Sequence, residues 1–206
     1  GSGAIALQGV ELGGTPIKKQ KNKATEGETG TIEITDIGDG DPAAGVAGTV
    51  SIGNANTATL TLDGTRYNTN GATIYEAVAG SASIKITGAD VSITTADDNL
   101  TFDAGNIELS TDGTTTISTG TGGGDLTIDG TIDGSTGTGN GSEALTITAG
   151  TGSTTISGTI GGTVAVTTLS IGGSGNGTIS LAGLGDSNTA GATGTTTIGN
   201  TSTGTL

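Results

Sequence analysis

Apolar residues in this chain come in short alternating runs, with Ile, Leu or Val at every second position and Thr, Ser or a charged residue between them. Thr31-Ile-Glu-Ile-Thr35, Thr49-Val-Ser-Ile52, Ala58-Thr-Leu-Thr-Leu62, Ala82-Ser-Ile-Lys-Ile86 and Val91-Ser-Ile-Thr94 set the pattern. It continues through Leu100-Thr-Phe102, Asn106-Ile-Glu-Leu109, Asp125-Leu-Thr-Ile128, Ala144-Leu-Thr-Ile147, Thr154-Thr-Ile156, Thr168-Leu-Ser-Ile171 and Thr178-Ile-Ser-Leu181. A period of two puts one set of side chains on each face of a strand. Branched side chains suit a pleated surface and lose rotamer freedom in a helix, so a helical bundle is excluded. Gly, Asp or Asn follows each run, and these residues turn the chain because they tolerate positive φ or bond their own backbone. Many strands this short predict a sandwich, a barrel or a solenoid.

Internal repetition separates these. Thr127-Ile-Asp-Gly-Thr-Ile-Asp-Gly134 recurs as Thr155-Ile-Ser-Gly-Thr-Ile-Gly-Gly162, and Leu145-Thr-Ile-Thr recurs as Leu169-Ser-Ile-Gly. Both recurrences fall within the period of roughly 20–50 residues that marks stacked supersecondary units, each too small to bury its own apolar face. The expectation is all-β: an elongated β-solenoid over 50–206, with 1–49 a smaller N-terminal β segment. That segment holds a strand pair, a basic stretch and an acidic turn. Residues 31–206 would make about six coils and a rod ~30 Å long. Ile84, Ile86, Ile93, Leu100, Phe102, Ile107, Leu109, Leu126, Ile128, Leu145, Ile147, Ile156, Leu169, Ile171, Ile179 and Leu181 are expected to face inward. An interior two side chains thick would need no aromatic residues.

Composition sharpens this. Of 206 residues 42 are Gly, only Tyr67, Tyr75 and Phe102 carry aromatic rings, and Cys, Met, Trp and His are absent. Disulfides and thiolate metal sites are thereby excluded. A net charge of −14 opposes binding to nucleic acid phosphates, and no apolar run is long enough to span a bilayer as a helix. Such a charge with few aromatics also occurs in disordered chains, but phased alternation argues for a packed sheet. Gly1-Ser2-Gly3 without Met reads as a processed mature end or an expression scar.

The stretch Leu60-Thr-Leu-Asp-Gly-Thr-Arg-Tyr-Asn68, with Ala89-Asp-Val-Ser-Ile-Thr-Thr-Ala-Asp-Asp-Asn-Leu-Thr-Phe102 and the Thr-Ile-Ser-Gly repeats, resembles the giant repetitive surface adhesins of Gram-negative bacteria. These are related in style to filamentous-haemagglutinin-type proteins. The resemblance covers 58–206 and rests on composition and rhythm. It implies a right-handed parallel β-helix, secretion to the cell surface or extracellular matrix, and attachment to a host, cell or polysaccharide surface or the building of a matrix. Residues 15–45 fit that style poorly.

Without His or Cys the usual general bases and thiol nucleophiles are missing, and carboxylates such as Asp129 and Asp133 are expected in turns, so no enzyme is expected. Calcium is the candidate cofactor. Asp36, Asp39 and Asp41 space three carboxylates around glycines, Asp97, Asp98 and Asp103 form a second set, and Gly122-Gly-Gly-Asp125 is similar to a calcium-binding β-roll turn. Solvated turn aspartates give the same pattern. Thr59-Leu-Thr61, Thr114-Thr-Thr116 and Thr195-Thr-Thr197 raise ice binding, though their spacing along the chain is uneven. Calcium-dependent carbohydrate binding would lack an aromatic platform. The Asn-x-Ser/Thr sites at Asn99, Asn140, Asn176 and Asn200 are expected by chance in such a composition.

The remaining expectation is end-to-end self-association into a homopolymer. Ile5 and Leu7, with Val10 and Leu12, would add a strand to a neighbour's open edge, and Lys18, Lys19, Lys21 and Lys23 would meet its acidic body.

Overall fold

The computed structural model describes residues 30–34, 36–37, 48–78, 84–109, 112–135, 142–173, 175, 177–200 and 203–206. Fifteen strands are found among them, with no helix. In chain order these are β1 (Gly30–Ile34), β2 (Val50–Gly53), β3 (Thr57–Leu62), β4 (Arg66–Thr69) and β5 (Thr73–Glu76). Next come β6 (Ile84–Ile86), β7 (Ser92–Thr95), β8 (Leu100–Leu109), β9 (Thr114–Ser118) and β10 (Leu126–Gly134). The last are β11 (Ala144–Thr148), β12 (Thr154–Ile160), β13 (Thr168–Gly172), β14 (Ile179–Leu184) and β15 (Thr196–Ile198).

The strands stack in parallel as a β-solenoid of about six turns. One sheet of nine strands holds β1, β3, β6, β8, β10, β12 and β14 in order, with β2 and β5 beside them; the other runs β4, β7, β9, β11, β13, β15. Strands β8, β10 and β12 each cross two parts of the nine-stranded sheet, bending midway where the pairing register shifts. Glycine is required at that bend. Gly130 has φ +152°, and a Cβ there would lie 2.0 Å from the Ala104 carbonyl oxygen of the coil below. β1, from the stretch before residue 50, stacks on β3, and Ile37 bridges Tyr67.

Three long apolar ladders run up the interior, beside a shorter one of Ile34, Leu62, Ile86 and Leu109. Ile32, Leu60, Ile84, Ile107, Ile132 and Ile160 occupy successive levels of the first. Ile52, Tyr75, Phe102, Ile128 and Ile156 form the second, and Tyr67, Ile93, Ile117, Ile147 and Ile171 the third. Every one of these residues is buried. The sequence repeat is the pairing register itself: Thr127 lies on Thr155 and Ile128 on Ile156, while Leu145 lies on Leu169 and Ile147 on Ile171. Of the residues expected to face inward, all are buried except Leu181, which is partly covered on β14.

Tyr67, Tyr75 and Phe102 are the largest fully buried side chains: Phe102 faces inward as expected, and the two tyrosines join it in an interior expected to need no aromatic residue. Tyr75 and Phe102 are register partners, and their rings stack with centroids 5.2 Å apart at 21°. A solenoid places the same position directly above itself at about 4.8 Å, which is close to ring-stacking distance. Buried threonines close the corners. The Thr69 and Thr73 hydroxyls lie 2.7 Å apart, and Thr119 Oγ1 donates to the Gly124 carbonyl at 2.7 Å.

Candidate functional site

Acidic and amide side chains at the turns, and Asp133 near the end of β10, join each coil to the next. Asp36 Oδ1 accepts the N–H groups of Thr65 (3.1 Å) and Arg66 (2.9 Å). Asp90 Oδ1 accepts from Thr114 N at 3.0 Å, and Asp97 Oδ1 from Thr121 N at 2.8 Å and Gly122 N at 2.5 Å. The same arrangement pairs Asn99 with Asp125 N (2.9 Å), Asp125 with Ser153 N (2.7 Å) and Asp133 with Thr163 N (2.7 Å). Each acceptor reaches one coil onward, across 24 to 30 residues of chain. Turn N–H groups have no ladder partner, and a carboxylate oxygen is the strongest acceptor a side chain supplies. Asp97 and Asp90 adopt positive φ (67° and 50°), a conformation that Asp tolerates better than most residues.

The candidate calcium ligands divide accordingly. Asp36 and Asp97 direct a carboxylate oxygen at backbone donors. Asp98 is partly exposed beside Asp97, and its carbonyl accepts a hydrogen bond from Thr95 Oγ1. Asp103 lies apart from both, on the outer face of β8, in register with Glu76 on one side and Asp129 on the other. Among the described residues no group of three or more acidic side chains converges as a metal site. Asp129 and Asp133, expected in turns, both belong to β10: Asp129 points outward and Asp133 is buried. Glu143 is buried too, and its Oε1 accepts Ser135 N at 3.1 Å. Asp39, Asp41, Ile5, Leu7, Val10, Leu12, Lys18, Lys19, Lys21 and Lys23 lie outside the described residues.

Asp103, Asp129 and Thr131 line a shallow groove of about 310 Å³ along the bend, floored by Gly105 and Gly130. Nearby, Lys85 Nζ and Glu108 Oε2 form an ion pair at 3.0 Å between paired positions of β6 and β8.

The two tyrosine hydroxyls differ. Tyr67 accepts from Gly64 N (2.8 Å) and donates to the Ile34 carbonyl of the coil below (2.7 Å). The Tyr75 hydroxyl is buried with no hydrogen-bond partner among the described residues. Burial, chiefly, holds both well above the ordinary tyrosine pKa; Asp63 and Asp36 add to the effect on Tyr67.

The outer face of the six-stranded sheet is of another kind. Ser92, Thr116, Thr146, Ser170 and Thr197 are register partners on five successive strands. A second column holds Thr94, Ser118 and Thr148, and a third Thr114, Ala144 and Thr168. No charged residue stands in these columns, in a chain of net charge −14. They end at β4, where Arg66 and Asn68 are the partners of Ser92 and Thr94. Ser92 and Thr94 hydroxyls bond one another at 3.3 Å at that edge of the face. The columns were hidden in the sequence because their members are unevenly spaced. The step from Thr116 to Thr146 takes more chain than the step from Ser92 to Thr116 or from Thr146 to Ser170. Unequal turns conceal an even stack.

Comparison with protein-family models, with curated proteins and with solved structures finds no match.

Proposed function

We propose that this chain is a non-enzymatic rod segment of an extracellular surface fibre or adhesin, extended end to end by strand pairing. One observation carries the reading: the ladders arrive at the coil of β14 and β15 uncovered. Leu184 continues the ladder of Ile160 yet is 40% exposed, whereas Ile160 is 0% exposed. Leu181 and Ile198 continue the other two ladders and are only partly buried. Among the described residues β15 pairs with β13 alone, and β14 with β12, with the Ile179 N–H at its start bonded to the Thr205 carbonyl at 2.9 Å, so β15 and the rest of β14 offer their other edge. An open edge beside an apolar ladder is a template for another coil, whose backbone groups and side chains it would satisfy together. Covering the part of Leu184 still exposed contributes about 1 kcal/mol, a fraction of the roughly 1.5–3 kcal/mol for burying a whole leucine.

The connector in this reading is the N-terminal stretch. Ile5, Leu7, Val10 and Leu12 supply the added strand, and Lys18, Lys19, Lys21 and Lys23 meet the acidic body of the next subunit, an attraction that salt weakens. The test is sizing and electron microscopy of the full chain over a concentration series, beside Leu184→Lys and a chain lacking residues 1–23. Filaments that lengthen with concentration, and shorten in both variants, are expected. A full chain that stays monomeric at every concentration ends the assembly reading, and filaments unaffected by the deletion remove residues 1–23 as the connector.

A further inference from the structure

We infer that the outer face of the six-stranded sheet is an ice-binding surface. The mesh of its hydroxyl columns is close to that of ice. Neighbouring parallel strands lie about 4.8 Å apart, and side chains two residues apart on one face are separated by about 6.7 Å. Thr116 and Thr146 are neighbours in the first sense, and Thr146 and Thr148 in the second. Hydrogen-bonded oxygens in tetrahedral water stand about 2.75 Å apart, which sets second neighbours at about 4.5 Å and the layer repeat of hexagonal ice at about 7.3 Å. Each period of the protein grid is within about a tenth of its counterpart. Over the four steps from Ser92 to Thr197 the strand-spacing mismatch accumulates to about 1.2 Å, less than half of one water–water separation.

Chemistry selects the occupant. A charged side chain would have to surrender its hydration against a neutral solid; from β7 to β15 these columns hold none, and Arg66 stands only at their β4 end. Each hydroxyl both donates and accepts, so it can replace a lattice water in either sense. The threonine methyl groups beside them fill space without demanding a bond. A crystalline polysaccharide is the competing partner with a two-dimensional repeat, but the three aromatic residues that could stack on its sugars are all buried. Rigidity is also in place, since every column member in β7, β9 and β11 is only partly exposed and flanked by buried neighbours on its own strand.

The experiment grows ice slowly from a dilute solution of the full chain and measures its partition into the solid against a protein without ice affinity. Thermal hysteresis is the second readout. Thr146→Tyr and Thr116→Tyr place a bulky ring in the middle of the face, and Thr146→Val replaces only the hydroxyl with a methyl group. Thr127→Tyr is the control on the outer face of β10 in the other sheet, with circular dichroism confirming that each variant folds. The expected result is enrichment of the full chain in ice with measurable hysteresis. Both are lost in the two tyrosine variants, reduced in Thr146→Val and kept in Thr127→Tyr. Exclusion of the full chain from ice overturns the inference. So does equal loss in Thr127→Tyr, or retention on microcrystalline cellulose without enrichment in ice.

Discussion

Asp97 is where two accounts of the acidic turns diverge most sharply. As a coil-joining acceptor, its Oδ1 takes two N–H groups, from Thr121 and Gly122, at 2.8 and 2.5 Å. Hydrogen bonds to a charged acceptor contribute about 1.5–3 kcal/mol each when sheltered. Asp97 is exposed, so water can reclaim the donors, and about 1 kcal/mol each is the appropriate scale. The backbone adds a second effect, because Asp97 sits at φ +67° and alanine there is strained by about a further 1 kcal/mol. Asp97→Ala should therefore cost about 3 kcal/mol, or about 6–12 °C of melting temperature for a chain of this size. Asp97→Gly loses the bonds without the strain and should fall by about 4–8 °C. Asp97→Asn keeps an oxygen acceptor and tolerates positive φ, so its loss should stay within about 1 kcal/mol. Thermal melts by circular dichroism, with EDTA and with added calcium, measure the series. Under the calcium account the asparagine variant would suffer as much as alanine, and both deficits would vanish in EDTA. That outcome would refute the role as a backbone acceptor, and a series independent of EDTA would remove calcium from this turn.

Other consequences follow from the ladders and the tyrosines. Ile147, fully buried between Ile117 and Ile171, should lose about 2–5 kcal/mol on truncation to alanine in urea melts, and Ile147→Asp should not fold. Tyr67→Phe abandons the Gly64 N–H and the Ile34 carbonyl and should cost about 1–3 kcal/mol, whereas Tyr75→Phe removes an unpartnered buried hydroxyl and should be neutral or stabilising. Both tyrosine pKa values are raised in the fold, so the unfolded chain releases its protons first, near pH 10. The stability from keeping these phenols neutral is complete below that pH and is lost as pH rises toward the folded values. The loss is about 1.4 kcal/mol per pH unit for each tyrosine, and unfolding of the double Phe variant should lack this alkaline dependence.

The solenoid was legible because its ladders repeat one chemical type at one position of each coil. Thr127 on Thr155 and Leu145 on Leu169 are sequence matches and strand partners at once. Alternation then separated inner from outer residues, failing to secure full burial only at Leu181, where no further described strand covers the ladder. The turns were less readable. The spacing of Asp97, Asp98 and Asp103 resembles a cation loop along the chain, but β8 carries Asp103 to an outer sheet face while Asp97 turns toward the next coil. The partner of each turn aspartate lies a whole coil away, and coil length varies with the turns, so no fixed spacing announces the pair. The stacking of the aromatic rings was hidden for a related reason. Tyr75 and Phe102 are a full coil apart along the chain, and only the register stacks them.

The distribution of charge ties the rod to both functional readings. Aspartates at the turns satisfy backbone donors that would otherwise be unpaired, so part of the acidity is a by-product of building coils with irregular corners. On the nine-stranded sheet Glu76, Asp103 and Asp129 stack as like charges in register, which disfavours the approach of a second acidic rod along that side. The six-stranded sheet lacks that protection across its hydroxyl columns, and the coil of β14 and β15 lacks apolar cover. Among the described residues, two places can thus be approached without electrostatic cost: the coil of β14 and β15, suited to another coil, and the hydroxyl columns, suited to a neutral solid. Extension along the axis leaves the face free on every subunit. A filament would therefore present the hydroxyl grid as a continuous strip, and end-to-end assembly would strengthen ice binding by multiplying the lattice contacts of a single coil stack.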